Sequence, residues 1–407
     1  MTRRARPGAA LPRAFNMYLL GTGTWFVGLA IQFVLFPWLV ALELQATPAQ
    51  VGYAQTAILA PMLVLLLPAG VWADRHDPLA IIVRVQALAV IPPLCLAFAI
   101  WRGHLSYGLL IAFALTMGSL SALIAPAREG LLSQVAGDDI QHAVTVATGV
   151  QFGLQVIGFA IVALVSPAGA PVVLAIQAVV FACGAFAFRR LDRREFRKRR
   201  VRPRPAGTLV MVFEGLRAVF GSRQLTAVTV TNLSIGVLYM GVFMVGTPLL
   251  IREHYGGSEH DLAVANVCST SGTIAATLLL YRFGGVRRPG RALFLALLGS
   301  SAALFAVGSG VPYPAFLALT VLSGCCGGIA MTMGRTLVQE NAPDALRSRV
   351  MSIYTLSVLG GTPLGNLLMG HLADQVGVLG GITIAAIAMA ATTLLVRLVT
   401  PLDEPIS

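Results

Sequence analysis

Long apolar stretches recur along the whole chain, and short polar segments separate them. A helix needs about 20 predominantly apolar residues to cross a bilayer. The stretches are continuous and lack the short alternating strands of a membrane barrel, so they predict helices. Twelve spans meet this criterion, at residues 15–42, 51–72, 79–100, 106–126, 142–165, 170–188, 224–250, 262–282, 292–310, 314–337, 349–371 and 378–399.

The composition supports an all-α integral membrane fold. Of the 407 residues, 57% are hydrophobic and only 11% are charged, whereas soluble domains carry about 25% charged residues. The net charge of +12 would suggest a nucleic-acid partner in a soluble protein. Here we interpret the basic residues as topology signals and as contacts with anionic lipid, and we expect no nucleic-acid partner. The apolar run that follows the basic start of the chain is too long for a cleavable signal peptide.

The distribution of basic residues predicts the orientation. If the N-terminus is cytoplasmic, all but Arg102 and Arg252 of the 29 basic residues fall in cytoplasmic segments or at their borders. Such an asymmetry is typical of membrane proteins, whose cytoplasmic loops are enriched in arginine and lysine. We therefore expect both termini to be cytoplasmic.

The chain divides into two six-span halves. Residues 1–188 form the predicted N-terminal bundle, 189–223 a basic cytoplasmic linker, and 224–407 the C-terminal bundle. The segments that begin at Gln134 and Gln339 resemble each other and lie about half the chain apart. Parallel six-helix repeats of this kind predict a site near the bilayer midplane and rocking of one half against the other.

The loop between the second and third spans reads GVWADRHD and begins at Gly70. Glycine allows two helices to approach closely, Asp74 can accept hydrogen bonds from a helix N-terminus, and Arg75 can bind a carboxylate. Arg128 and Glu129, at the end of the fourth span, are the expected partners. Together these five residues predict a conformational latch on the cytoplasmic side. The alternative is an ordinary basic loop with an incidental aspartate.

Several segments carry a family resemblance. The G-x-x-x-D-R pattern from Gly70 resembles a motif of the major facilitator superfamily. The segment PAREGLL ends the fourth span, QENAPDALRSRVMS joins the tenth to the eleventh, and GTPLG and GHLAD follow. These resemble the drug:proton antiporter branch that contains enterobactin exporters and macrolide efflux proteins. The resemblance implies a monomer in the bacterial inner membrane that exports a small amphipathic molecule by alternating access, driven by protons. An uptake transporter or a lipid translocator of the same fold is the alternative.

The resemblance also implies that the first, fourth, seventh and tenth spans line the substrate cavity. On the first and seventh spans, pairs of polar and aromatic residues share one helix face by a seven-residue spacing, and the fifth span carries two glutamines one turn apart. The alternative role for each is a hydrogen bond between helices. These candidates are Trp25, Gln32, Gln151, Gln155, Asn232 and Tyr239.

The sequence does not identify the coupling ion. No carboxylate stands in the middle of a predicted span, and Glu43, at the outer end of the first span, is the candidate proton carrier. Coupling to another ion or to the charge of the substrate is the alternative. The five cysteines lie in apolar stretches and show no metal-ligand spacing with histidines. We therefore expect no metal, no cofactor and no catalytic site.

Overall fold

The computed structural model describes residues 13–136, 140–191, 208–282, 286, 288–343 and 346–400, and every regular element in these ranges is a helix. Eleven helical segments are long and apolar enough to cross a membrane, and the last of them, Arg349–Val399, is long enough for two crossings. The N-terminal half contains TM1 (Arg13–Trp38, extended by a π-helical turn at Leu39–Glu43), TM2 (Pro48–Arg75), TM3 (Pro78–Leu88 and Ile91–Trp101), TM4 (Tyr107–Val135), TM5 (Ile140–Val165) and TM6 (Ala170–Arg189). The C-terminal half contains TM7 (Arg223–Ser234, two π-helical turns at Ile235–Tyr239 and Val242–Gly246, and Thr247–Glu253), TM8 (Glu259–Arg282), TM9 (Pro289–Gly308), TM10 (Tyr313–Asn341) and the segment Arg347–Val399.

A single glycine separates TM11 from TM12 within this last segment. Gly377 has φ 77° and ψ 162°, a conformation outside the helical region. Glycine adopts positive φ without the steric cost that a Cβ atom brings. The break makes residues 347–376 TM11 and residues 378–399 TM12, which confirms the predicted twelve-span membrane fold.

Local sequence explains where several spans begin or break. TM2 starts with a capping box, in which Thr47 and Gln50 each accept a hydrogen bond from the other's backbone N–H, and Pro48 at the first helical position has no N–H to leave unsatisfied. TM3 is interrupted at residues 89 and 90. Pro92 and Pro93 lack the amide hydrogens that would continue the helix across this point.

The two halves use the same close contact at equivalent places. A Cβ atom on Gly118 of TM4 would lie 2.1 Å from the carbonyl oxygen of Ile58 on TM2. A Cβ atom on Gly324 of TM10 would lie 2.0 Å from the carbonyl oxygen of Ser269 on TM8. The two glycines are separated by about half the chain. In both halves, therefore, the fourth helix packs backbone to backbone on the second, as a repeat of six spans predicts.

The predicted linker contains a helix. Residues 192–207 lie outside the described residues, but Thr208–Phe220 is a helix. Glu214 forms an ion pair with Arg349 at the start of TM11. A Cβ atom on Gly215 would lie 3.1 Å from the side chain of Ile353. The sequence predicts residues 189–223 as a linker, and within it Thr208–Phe220 forms a helix that packs on the C-terminal half.

Candidate transport site

One end of the bundle holds the start of TM1 and the end of TM12, and we call it the proximal end; the opposite end is the distal end. At the distal end TM2 crosses TM11 at van der Waals distance. A Cβ atom on Gly52 would lie 2.6 Å from the carbonyl oxygen of Asn366 and 3.3 Å from Cα of Gly370. Beside this crossing, Tyr53 Oη lies 3.1 Å from His371 Nε2. Deeper along the same helices, Thr56 Oγ1 donates a hydrogen bond of 3.2 Å to the carbonyl oxygen of Pro363.

Arg252, near the end of TM7, joins the C-terminal half to the TM1–TM2 connection. Its Nη1 donates to the carbonyl oxygens of Ala41 at 2.7 Å and Ala46 at 2.8 Å, and its Nη2 pairs with Glu253. The side chain of Glu43 lies between these two carbonyls in sequence and is exposed.

A third connection joins TM5 to TM8. His260 Nδ1 lies 2.9 Å from the carbonyl oxygen of Ala163. These five hydrogen bonds between the two halves all lie toward the distal end. We call this set, together with the crossing of Gly52 and Gly370, the distal contact.

At the proximal end, the described part of the predicted latch shows no close packing around Gly70. A Cβ atom on Gly70 would have nothing within 4 Å, so no helix approaches closely there. The side chains of Arg75 and Glu129 are exposed, and the side chain of Asp74 lies outside the described residues. The distal contact joins the halves at the opposite end, and the latch stays a prediction.

Arg128, the fifth predicted latch residue, is directed toward TM1. Its Cζ lies 4.4 Å from the centre of the Phe26 ring, and its backbone carbonyl accepts a hydrogen bond of 3.3 Å from Tyr18 Oη. Its Nη1 is buried and has no hydrogen-bond acceptor.

Two of the predicted cavity residues in the N-terminal half are buried within TM1. Trp25 is 1% exposed and packs on Phe181 of TM6, with ring centres 5.2 Å apart. Gln32 is 5% exposed, and its Oε1 has no partner. Gln151 and Gln155 on TM5 are half-buried. The seven-residue spacing places Trp25 and Gln32 on one face as expected, but the structure turns that face toward the interior of the half.

The predicted pair on TM7 has partners inside the C-terminal half. Asn232 Nδ2 donates to the carbonyl oxygen of Tyr354 at 2.6 Å and to Ser357 Oγ at 3.0 Å, both on TM11. Ser323 Oγ lies 3.3 Å from Tyr239 Oη and forms a second contact of 3.3 Å with Ser300 Oγ. Asn232 therefore makes the hydrogen bond between helices that was the alternative role.

Tyr239 and Ser323 also line a small cavity of about 40 Å³ between TM7 and its neighbours. Ser269 and Thr320 contribute further hydroxyl groups to its wall. A cavity of this volume with several hydroxyl groups can hold an ordered water molecule.

Sequence reasoning missed the residues of the distal contact. The sequence did contain an indication for Arg252. Under the predicted orientation, Arg252 is one of only two basic residues on the side of the membrane opposite the cytoplasm. The sequence contained no such indication for Tyr53 and His371, since a polar residue near a helix end usually contacts lipid headgroups or water. Among the described residues, no three His, Cys, Asp or Glu side chains are grouped to hold a metal ion.

The fold agrees with comparisons to known proteins. A family profile described as "Transmembrane secretion effector" matches residues 13–404. The chain belongs to this family. It is a multi-pass membrane transporter of the major facilitator type, and its relatives are transporters rather than enzymes. This confirms the family that the motifs around Gly70 and Gln339 indicated.

Curated relatives span most of the chain. The multidrug efflux pump Tap of Mycobacterium tuberculosis is 25% identical over 86% of this chain and 84% of its own. The protein of the same name from Mycolicibacterium fortuitum is 27% identical over 86% of this chain and 87% of its own. The staphyloferrin A transporter of Staphylococcus aureus is 24% identical and covers 93% of each chain.

Solved structures share the fold. The nucleoside transporter NupG superposes with a TM-score of 0.74 at 12% identity and covers 96% of this chain and 100% of its own. A bacterial homologue of the human lysosomal transporter Spinster, in an inward-facing conformation, gives a TM-score of 0.67 at 15% identity and covers 97% of each chain.

Proposed function

We propose that this protein exports a small amphipathic molecule across the bacterial cytoplasmic membrane by alternating access. The distal contact is the observation that carries the proposal. Its hydrogen bonds join the two halves at one end, while the glycine of the predicted latch at the other end has no close neighbour. A transporter that moves one half against the other must pass through a state that is held together at a single end.

The direction of export rests on the relatives and on charge. The name of the Tap relatives describes efflux. The distribution of basic residues favours a cytoplasmic proximal end, because cytoplasmic loops of membrane proteins are enriched in arginine and lysine. With that orientation the structure is an inward-facing state, from which an exporter takes up its substrate. We propose protons as the coupling ion, with Glu43 as their candidate carrier at the outer end of TM1.

Crosslinking the distal contact tests alternating access. In a chain whose five cysteines are replaced, Tyr53→Cys and His371→Cys are joined by a short dimaleimide. The crosslink should abolish flux in proteoliposomes, because the distal end cannot then open. The control pair, Gln50→Cys and Tyr107→Cys, joins TM2 to TM4 within one half, where Tyr107 Oη donates to the Gln50 carbonyl oxygen at 2.8 Å. Full flux after the Tyr53–His371 crosslink would contradict alternating access.

An accumulation assay in cells distinguishes export from uptake. Accumulation of ethidium, an amphipathic cation, and of 2-naphthoate, an amphipathic anion, is compared in cells with and without the protein. Export predicts lower accumulation of at least one of them on expression. Higher accumulation would indicate uptake, and equal accumulation of both would count against the proposal.

A further inference from the structure

The guanidinium group of Arg128 lies deep in the N-terminal half. The Arg128 backbone is level with Tyr18, whose Oη bonds the Arg128 carbonyl oxygen. The guanidinium reaches toward Phe26, at the midpoint of the helix Arg13–Trp38. Tyr18 and Phe26 are about 12 Å apart along the helix axis, at ~1.5 Å of rise per residue. The side chain therefore extends toward the middle of the bilayer, away from the proximal end where headgroup phosphates lie.

An arginine at this depth requires a compensating interaction, because a charge near the bilayer centre costs several kcal/mol unless it is paired or faces water. The stack on Phe26 provides part of this compensation through a cation–π interaction. Nη1 is buried without an acceptor. Glu129, the next residue in the chain, has an exposed side chain. Its charge attracts the guanidinium of Arg128, but this attraction is screened because the Glu129 side chain is exposed.

Stacking on Phe26 does not use the hydrogen-bonding edge of the guanidinium, and Nη1 on that edge is left without an acceptor. Phe26 contacts the face of the guanidinium, whereas the N–H groups point outward in its plane. That edge matches the two oxygens of a carboxylate, or those of a phosphate, in a bidentate pair. Phe26, beside the guanidinium, is apolar and buried, so it suits the hydrophobic part of the same molecule.

We propose that Arg128 and Phe26 form a binding site for the anionic group of the transported molecule, so that the substrate class is amphipathic organic anions, with a carboxylate or phosphate beside an apolar or aromatic body. This assignment rests on the proposed transport function. It gives Arg128 a role distinct from the latch at the proximal end, because its guanidinium is directed toward the middle of TM1.

Equilibrium binding tests the assignment without a gradient. The full chain is placed in nanodiscs of phosphatidylcholine, and tritiated 2-naphthoate is the probe. Its neutral isostere 2-naphthamide competes for the same site. The wild-type protein should bind 2-naphthoate about 10- to 100-fold more tightly than 2-naphthamide, as hydrogen bonds to a charged group at about 1.5–3 kcal/mol imply. Equal affinities, or no binding of 2-naphthoate at millimolar concentration, would overturn the proposal.

Binding to variants tests whether Arg128 causes the preference for the anionic probe. Arg128→Gln should bind both probes equally, and Arg128→Lys should keep a reduced preference, since lysine retains the charge but not the bidentate geometry. Arg102→Gln is the matched control: Arg102 also stacks on an aromatic ring, that of Phe98, but lies exposed at the distal end. Its preference should equal the wild-type value. If Arg128→Gln keeps the wild-type preference for 2-naphthoate over 2-naphthamide, the assignment is overturned. If Arg128→Gln does not fold, an undiminished preference in Arg128→Lys overturns it.

The test separates this inference from the transport proposal. Anion preference at equilibrium with no flux of any probe would refute transport but support the site. Flux of ethidium with no anion preference in binding would support transport and refute the site.

Discussion

The crossing of Gly52 and Gly370 makes the distal contact sensitive to one methyl group. In Gly52→Ala the new Cβ would lie 2.6 Å from the carbonyl oxygen of Asn366. Helix backbones cannot give way locally, so TM2 and TM11 must separate by several tenths of an ångström. Overpacking of this kind costs about 1–3 kcal/mol. The cost applies only to the state in which the halves meet at the distal end, and it lowers the population of that state relative to the alternative by about 5- to 150-fold.

Pulsed electron–electron double resonance measures this shift in population. Spin labels on His104→Cys and Ser309→Cys, exposed residues at the distal ends of the two halves, should report a longer distance in Gly52→Ala than in the parent chain. Gly108→Ala is the control, because a Cβ atom at Gly108 would have nothing within 4 Å. The reasoning is refuted if Gly52→Ala gives the distance distribution of the parent chain.

Further variants probe the other contacts. Arg252→Gln removes the charged donor to two carbonyls of the other half, and each hydrogen bond to a charged group contributes about 1.5–3 kcal/mol. The variant should therefore lengthen the same spin-label distance. An unchanged distance would show that Arg252 does not hold the distal end. Asn232→Ala should lower the stability of the protein in detergent by about 0.6–2 kcal/mol, since it removes hydrogen bonds between TM7 and TM11, and thermal unfolding that matches the wild type would contradict this. Asp74→Asn should reduce flux in proteoliposomes while membrane insertion stays normal, and wild-type flux would exclude the latch. Glu43→Gln should flatten the pH profile of flux, and a retained profile would exclude Glu43 as the proton carrier.

Much of the architecture follows from local sequence. The length of each apolar stretch gives the number of spans, because every backbone polar group inside a bilayer must be satisfied within a helix. Hydropathy alone predicts the two spans that Gly377 separates, although it does not identify Gly377 as the break between TM11 and TM12. Hydropathy does not predict the helix Thr208–Phe220 inside the linker, because this helix is too short to register as a membrane span, and its packing on TM11 depends on the partner surface.

The sequence by itself determined twelve membrane helices, the asymmetry of their basic residues, and the family motifs. Only the tertiary structure decided which helix faces meet. A seven-residue spacing puts Trp25 and Gln32 on one face of TM1, but it does not specify that this face packs on Phe181. Likewise, no local pattern directs Arg128 to Phe26 or Arg252 to the carbonyls of Ala41 and Ala46. In lipid all helices are similarly apolar on the outside, so the hydrophobic effect does not select their partners, and close approach of glycines with a few polar contacts selects them instead.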